Sequence, residues 1–407
     1  MTKTLTTRAE LTFKHNLKNG RHGWIRLTPA YSVKVVNDLL RDNPAVTHVL
    51  EPFSGTATTG LVCAESGIRC DLFDINPFLI WLAEVKTANY TEGERAEAQA
   101  FAQGIVSRLK ANRSDDDLWL PPISNIERWW SKERLLLLAQ IHRELNLRFP
   151  ERSPAKDLLL VAFCRVLIEW SAAAFNHQSM SFKQTAPLSL FAFDERQDLL
   201  LAFIDSVDKV IESAAQNIPG KVKATMADSR NIPVPEDRLY DCLITSPPYP
   251  NRMSYIRELR PYMYWLGYLK EAREAGEMDW QAIGGTWGIA TSRVEKWQPD
   301  KSDIRHDGFY EIIDSIARKS RVLANYVHKY FVDMLSHLES ARGAVAAGGK
   351  VFYIVGNSKF YDTIVPVEEI YASLLKQAGF EKTEIQALRK RNSKKELRES
   401  VVSAVRT

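Results

Sequence analysis

The sequence lacks the features that would settle its class at a glance. No apolar run approaches the roughly 18 residues that a membrane-spanning helix needs. The opening stretch, MTKTLTTRAELTFKHN, is mixed and charged and carries no apolar signal region. Among 407 residues there are only four cysteines (Cys63, Cys70, Cys164 and Cys242), scattered without metal-ligand spacing. They read as reduced, partly buried thiols, and the expected setting is the cytoplasm, with no membrane and no metal. Internal repeats and low-complexity tracts are missing. So is any G-x-G-x-x-G, the signature that lets a dinucleotide pyrophosphate approach the backbone. An excess of one charge is nearly absent too: 54 Lys and Arg face 50 Asp and Glu, a net charge of +4. That mild basicity is compatible with a polyanionic partner and decides nothing by itself. Hydrophobic residues at 45% and charged residues at 26% are ordinary for a globular chain. The length allows two to three domain-sized units, or one domain carrying large insertions.

What is present is the pattern of an α/β sheet. Residues 46–52, VTHVLEP, read as a short buried strand, and 53–60, FSGTATTG, as a turn of small residues. Residues 61–66 then read as a helix stopped by Gly67, and 70–74, CDLFD, as a second strand ending in an acid. Strand, turn, helix and strand make a βαβ unit, and a parallel sheet follows from it. Strand character resumes at 221–226, with Asp228 just beyond, and again at 239–245, LYDCLIT. Consecutive prolines in the next four residues, SPPY, force the chain out of the sheet. Helices are expected over 135–147, 158–175, 255–269, 314–341 and 367–377. Loops are expected at 283–293 and in the turn 347–350. Strands are expected at 351–355 and, as the last of the sheet, at 383–388. The fold class is α/β: a Rossmann-like sheet with helices on both faces, interrupted by two mainly helical insertions. The expected division is 1–91 and 218–259 for the two parts of the core, 92–217 and 260–340 for the insertions, and 341–407 for the final strands and a basic tail.

Three elements point to one chemistry. EPFSGTAT ends the first strand, DIN ends the second, and SPPY follows the fourth. In that order, with Asp228 between them, they resemble the amino-methyltransferases of DNA, the N4-cytosine and N6-adenine enzymes. The resemblance covers about 150 residues and implies the class I methyltransferase sheet and S-adenosylmethionine as cofactor. Ser246, Pro247, Pro248 and Tyr249 match all four positions of the family's catalytic tetrapeptide. Its F-x-G-x-G turn is met by Phe53, Gly55 and Ala57, so alanine replaces the second glycine. The resemblance makes Glu51, Pro52, Phe53, Ser54, Gly55 and Thr56 the first cofactor loop. Asp74, with Ile75 and Asn76, stands where the family's acid takes the ribose hydroxyls, and Asp228, with Ser229, where it reads the adenine. HGWIRLTPAYS resembles the segment that holds the methionine end, through Thr28, Pro29 and Ser32.

The residue chemistry fits independently. Backbone amides at a helix N-terminus suit polar cofactor groups, and an acid after the second strand suits a diol. A nicotinamide reading shares this much but wants the missing glycines. The amine of a nucleobase is a weak nucleophile, because its lone pair is delocalised into the ring. Acceptors aimed at its N–H groups, here the Ser246 hydroxyl and the Pro247 carbonyl, free that lone pair. Proline rigidity holds such a carbonyl in place. Tyr249 is expected to stack on the base. The target atom is inaccessible in a stacked duplex, so the base must be flipped. A C5-cytosine mechanism needs a nucleophilic cysteine in a Pro-Cys pair, and no cysteine here follows proline.

Serine at the first tetrapeptide position leans the resemblance toward cytosine N4, with adenine N6 as the alternative. RNA or protein-glutamine methylation and a catalytically silent DNA-binding protein are the further rivals. Double-stranded DNA is the implied partner, and a restriction endonuclease acting on the same site is the family's usual companion. His177 and Lys183, in FNHQSMSFK, and Arg252, Arg257 and Arg260 are candidates for DNA contact, against the plainer reading of a loop and a solvated helix face. Trp129 and Trp130 read as buried aromatics. Gly284-Gly285-Thr286-Trp287 is either a loop over the substrate or a structural turn. Arg389, Lys390, Arg391, Lys394 and Lys395 read as a basic run after the last strand.

Overall fold

The computed structural model describes residues 9–27, 30–111, 118–174, 181–182, 195–234, 238–286, 289–299, 303–391 and 396–407. Seven strands form the central sheet: β1 (His48–Glu51), β2 (Arg69–Asp74), β3 (Val222–Met226), β4 (Tyr240–Thr245), β5 (Val345–Gly356), β6 (Phe380–Lys390) and β7 (Arg398–Arg406). Their spatial order is β3-β2-β1-β4-β5-β7-β6. All neighbours are parallel except at β7, which runs antiparallel to both β5 and β6. This is the doubly wound α/β sheet that the βαβ pattern implied. The strand order reverses between β1 and β4, and in such sheets ligands bind outside the carboxyl ends of the strands at that reversal.

Helices cover both faces. On one, α1 (Val33–Arg41) and α2 (Thr58–Glu65) pack on Val49, Cys70, Leu72, Cys242 and Ile244. Outside the sheet stand α3 (Pro77–Thr87), α4 (Glu92–Ala111), α5 (Lys132–Arg148), α6 (Pro154–Glu169), α7 (Glu195–Ala214) and α8 (Tyr255–Trp265). These six share one apolar cluster, centred on Trp129, Trp130, Phe163 and Trp265. Among the described residues the helical block is therefore welded to α3 and α8 and shares their core. The chain continues through α9 (Ala272–Gln281), α10 (Ile289–Lys296), α11 (Phe309–Ala317), α12 (Arg321–Ala344) and α13 (Val367–Gln377). On the second face, α12 and α13 bury Tyr330, Met334, Leu338 and Leu374 against Leu50, Phe73, Leu243 and Val351. Helix starts are set locally. The Ser131, Ser153, Ser254 and Ser320 hydroxyls cap α5, α6, α8 and α12, and Asn76 caps α3 with Pro77 behind it.

Several expectations need correction. The strand at 383–388 lies within β6 but is not the last, because β7 follows it and inserts between β5 and β6. Its run Glu399–Val402 is buried on both faces, so it has no alternating pattern to read. Arg389 and Lys390 consequently belong to β6 and not to a tail, while Lys394 and Lys395 lie outside the described residues. Residues 347–350 do not turn the chain; they lie in β5, where a register irregularity and Gly348 at φ +78° absorb the turn-like signal. The second half of the loop expected at 283–293 is the start of α10, and the helix expected at 314–341 is split by Arg318–Ser320 into α11 and α12. Within the expected second insertion, α12 packs directly on the sheet as the β4–β5 crossover. Among the described residues no helix is long and apolar enough to cross a membrane.

Arg21 fastens the helical block to the core. It is 1% exposed, and its guanidinium donates to five carbonyls: Lys86 and Ala88 at the end of α3, and Ser213, Ala214 and Gln216 at the end of α7. Helix C-termini carry unsatisfied carbonyls and partial negative charge, which a cation offsets. Arg21→Met is expected to lose about 3 kcal/mol or more in denaturant unfolding. Arg21→Lys, a point charge without the planar fork, is expected to recover only part of that. A wild-type midpoint for either variant would remove Arg21 from this role.

Candidate active site

The carboxyl ends of β1 to β4 open into one cleft of about 910 Å³, counting its mouth, within the size range of small-ligand sites. Pro52, Phe53, Ser54, Gly55 and Thr56 line it from the loop after β1. Left-handed backbone at Gly55 (φ +50°) and Ala57 (φ +59°) makes this loop tight enough to start α2. Ala57 thus holds a conformation for which glycine is the usual residue, while its methyl is buried in the core. The Ser54 hydroxyl is buried with no hydrogen-bond partner among the described residues. Asp74 joins the first two loops: its carboxylate accepts from the Gly55 amide at 3.1 Å and the Asn76 amide at 2.9 Å. Burial pushes its carboxyl up to about 6, against the pull of those amides. Ile75 and Asn76 line the cleft beside it.

Asp228 and Ser229 form the third wall. Burial would raise the Asp228 carboxyl, but hydrogen bonds from Arg230 outweigh it and hold the group below its ordinary value. Below this loop, burial keeps His337 neutral, with its titration pushed down to about 4. Its Nδ1 lies 2.9 Å from the Ser229 carbonyl and must carry the proton. Nε2 then accepts from the Tyr353 hydroxyl at 3.0 Å.

SPPY closes the cleft. Ser246 and Pro248 line it; Pro247 and Tyr249 do not. The Ser246 hydroxyl donates to the Ile354 carbonyl at 3.1 Å and lies 3.2 Å from the Tyr249 hydroxyl. Tyr330 donates to the Pro248 carbonyl at 2.8 Å, which fixes the second proline. Tyr249 differs from expectation. Its ring is 6% exposed, the Arg391 guanidinium lies 5.1 Å above its centroid, and its hydroxyl donates to Glu399 at 3.0 Å. No face of that ring lines the cleft. An aromatic residue that does line it on the tetrapeptide side is Tyr255, at the start of α8, whose hydroxyl accepts from the Tyr249 amide at 3.2 Å.

No family model matches the chain. Three relatives share low identity over nearly all of it. The Type II methyltransferase M.AvaI of Nostoc sp. is 22% identical over 410 residues, covering 92% of this chain and 82% of the relative. The Type II methyltransferase M.BsoBI of Geobacillus stearothermophilus is 21% identical over 434 residues, covering 94% and 82%. The Type II methyltransferase M.MvaI of Kocuria varians is 18% identical over 357 residues, covering 82% and 75%. Over most of its length the chain is thus similar to Type II DNA methyltransferases, at low identity. Among solved structures, the rRNA methyltransferase aviRa from Streptomyces viridochromogenes matches with 10% identity and a TM-score of 0.29, over 97% of this chain and 96% of that one. The fold rests on the strand order of the chain itself.

Other expected residues fall in varied places. Thr28, Pro29, His177 and Lys183 lie outside the described residues, although Leu27, Ala30 and Tyr31, flanking the first two, do line the cleft. Ser32 does not line it. Its hydroxyl caps α1 and donates to the Glu10 carbonyl, which uses its hydrogen-bonding capacity. Arg252 is exposed beside the tetrapeptide in left-handed backbone (φ +62°), with its amide donating to the Tyr326 hydroxyl. Arg257 is half-buried, and Arg260 lies 5.2 Å over the Trp129 ring, so the latter is packing and not a solvated face. The two tryptophans are buried, as read from the sequence. Gly285 is a structural turn: a Cβ there would fall 1.6 Å from the Asp279 carbonyl oxygen. Trp287 lies outside the described residues. Sequence reasoning missed Gln281, Ala282 and Ile283, which line the cleft from the end of α9, and Glu399, which reaches Tyr249 from the last strand; no local pattern marks either.

Glu51 also departs from its expected role. It is fully buried behind the cleft, where Tyr31, Thr59, Thr245 and the Phe53 amide all donate to it. Burial raises its carboxyl from 4.5 to about 7, against these hydrogen bonds. An acid with a raised folded-state value contributes most when protonated. Its stability is complete below the unfolded value and is lost as pH climbs through the folded one, here about 3 kcal/mol. Glu51→Gln cannot titrate. The unfolding free energy of the wild type is therefore expected to fall relative to the variant between pH 4.5 and 7, and parallel curves across that window would refute the assignment.

Proposed function

We propose that this protein transfers a methyl group from S-adenosylmethionine to the exocyclic N4 amine of a cytosine flipped out of double-stranded DNA. The observation that supports it most is the convergence of the loops after β1, β2 and β3 with Ser246 and Pro248 on one cleft. The residues fit the cofactor. Ser54 offers a buried hydroxyl without a partner among the described residues, Asp74 a carboxylate for a diol, and Leu27, Ile75, Leu79 and Ile283 apolar walls. Asp228 and Ser229 are the proposed partners of the adenine ring. The cofactor supplies an electrophilic sulfonium methyl.

The chain's own contribution is to bind and orient. Ser246 accepts a hydrogen bond from the amine, Tyr255 provides an aromatic wall for the base, and proximity does most of the rest. The Pro247 carbonyl remains the second proposed acceptor, since Tyr330 occupies that of Pro248. Reading several base pairs needs on the order of 1,000–2,500 Å² of protein surface, for which the block at 92–217 is the proposed source, with Arg252 contacting phosphate beside the pocket. A restriction endonuclease acting on the same site is the companion that the Type II relatives suggest.

Mass spectrometry of nucleosides from unmethylated DNA incubated with the protein and cofactor tests the reading. N4-methylcytosine is expected. N6-methyladenine would keep the fold and overturn the role given to Ser246, and no methylated nucleoside despite cofactor binding would sink the DNA reading. Cofactor binding has its own signature. Diol donors favour ionised Asp74, so affinity measured by calorimetry is expected to rise about tenfold from pH 5 to pH 7. Asp74→Asn is expected to bind weakly with no such rise, and a wild-type profile in that variant would exclude Asp74 from the site.

A further inference from the structure

Glu399 and the hydrogen it receives from Tyr249 bear on how Ser246 meets its substrate. Glu399 is 4% exposed on β7. Directly opposite it on β6 stands Arg389, whose guanidinium donates to the carboxylate at 2.8 Å and 3.3 Å. The carboxylate therefore can only accept, and the single hydrogen of the Tyr249 phenol is committed to it at 3.0 Å. Burial raises the Tyr249 phenol well above its ordinary value, so that hydrogen stays in place. Ser246 also has one hydrogen. Its neighbours are the Ile354 carbonyl at 3.1 Å, which can only accept, and the Tyr249 oxygen at 3.2 Å, whose own hydrogen points away. Wherever the Ser246 hydrogen goes between those two, it does not enter the cleft. What Ser246 presents to the cleft is lone pairs, which is the polarity an amine donor requires.

We infer that Glu399, paired with Arg389, is a positioning residue for methyl transfer: by holding the Tyr249 hydrogen it keeps the Ser246 oxygen an acceptor facing the substrate amine. The inference rests on the amine-methylation reading above. It makes a prediction that simple packing does not. In Glu399→Gln, of nearly the same size, the amide carbonyl must face Arg389 and the amide N–H groups then face Tyr249. The phenol hydrogen, no longer accepted by Glu399, turns to Ser246 and occupies the lone pair.

The test is single-turnover methyl transfer to DNA by the full chain, with cofactor affinity measured in parallel, for E399Q, Y249F and the double variant. E399Q is expected to lose about tenfold in rate, the value of one hydrogen bond, with cofactor affinity within about twofold of wild type. Y249F removes the hydrogen that does the blocking, so the double variant is expected to match Y249F alone and to be no slower than E399Q. Losses that multiply in the double variant, or an E399Q rate equal to wild type, would overturn the inference while leaving amine methylation standing. E399A, which cannot donate to Tyr249, serves if E399Q misfolds, with the same requirement of non-multiplying losses. A wild-type protein that methylates no DNA would overturn both.

Discussion

Glu51 ends β1 where the sheet reverses its strand order, and donors from three other places converge on its carboxylate. Tyr31 comes from the N-terminal segment, Thr59 from the first turn of α2, and Thr245 from the last residue of β4. The Phe53 amide, two residues on, is the fourth donor. Thr245 immediately precedes SPPY, and Phe53 opens the first loop of the cleft. One buried group therefore sets the spacing between the segment that would hold a cofactor and the segment that would hold a base. A carboxylate without a cation in this position is costly. Dense hydrogen bonding offsets that cost, and burial still leaves the carboxyl titrating near neutrality. Its stability contribution and its registering role come from the same contacts, so the site cannot slacken at this point without loss of both.

The neighbouring acids show how one residue type takes different duties by environment. Asp74 faces the cleft with backbone amides as its partners among the described residues, and its carboxyl is raised to about 6. Asp228 faces the same cleft clamped by Arg230, which also reaches Asp333 on α12, and is held low. A group near its titration point responds to what binds it, whereas a clamped one acts as a fixed charge. The three loops consequently meet a ligand with one adjustable and one constant negative site.

Much of this was legible in the sequence, and the exceptions share a cause. Short apolar strands ended by Pro52, Asp74 and SPPY marked the carboxyl edge of the sheet, because parallel strands buried on both faces read as continuous apolar runs. What could not be read depends on pairing across long separations. Ser32 looks like a ligand-facing hydroxyl until Glu10 and the α1 amides claim it. Glu51 looks like a loop acid until Tyr31 and Thr245 enclose it. Arg260 looks like a phosphate contact until Trp129 lies beneath it. In each case the residue type was informative, and the partner that decides its role lies elsewhere in the chain.

Strand direction explains why the last strand belongs to the site at all. Parallel strands present their carboxyl ends to the cleft, so β5 delivers Gly356 there, where a Cβ would come within 2.9 Å of the Tyr249 ring. A parallel β7 would place its first residues at the opposite edge of the sheet. Because β7 runs antiparallel, it begins at the cleft edge, and Glu399 pairs across from Gly356 on one side and Arg389 on the other. The glycine leaves room for the tyrosine, the glutamate anchors its hydroxyl, and Arg391, donating to the Asn357 carbonyl at 2.8 Å, covers its ring. The reversal of a single strand brings the end of the chain beneath the tetrapeptide and couples it to a loop some 150 residues earlier in sequence.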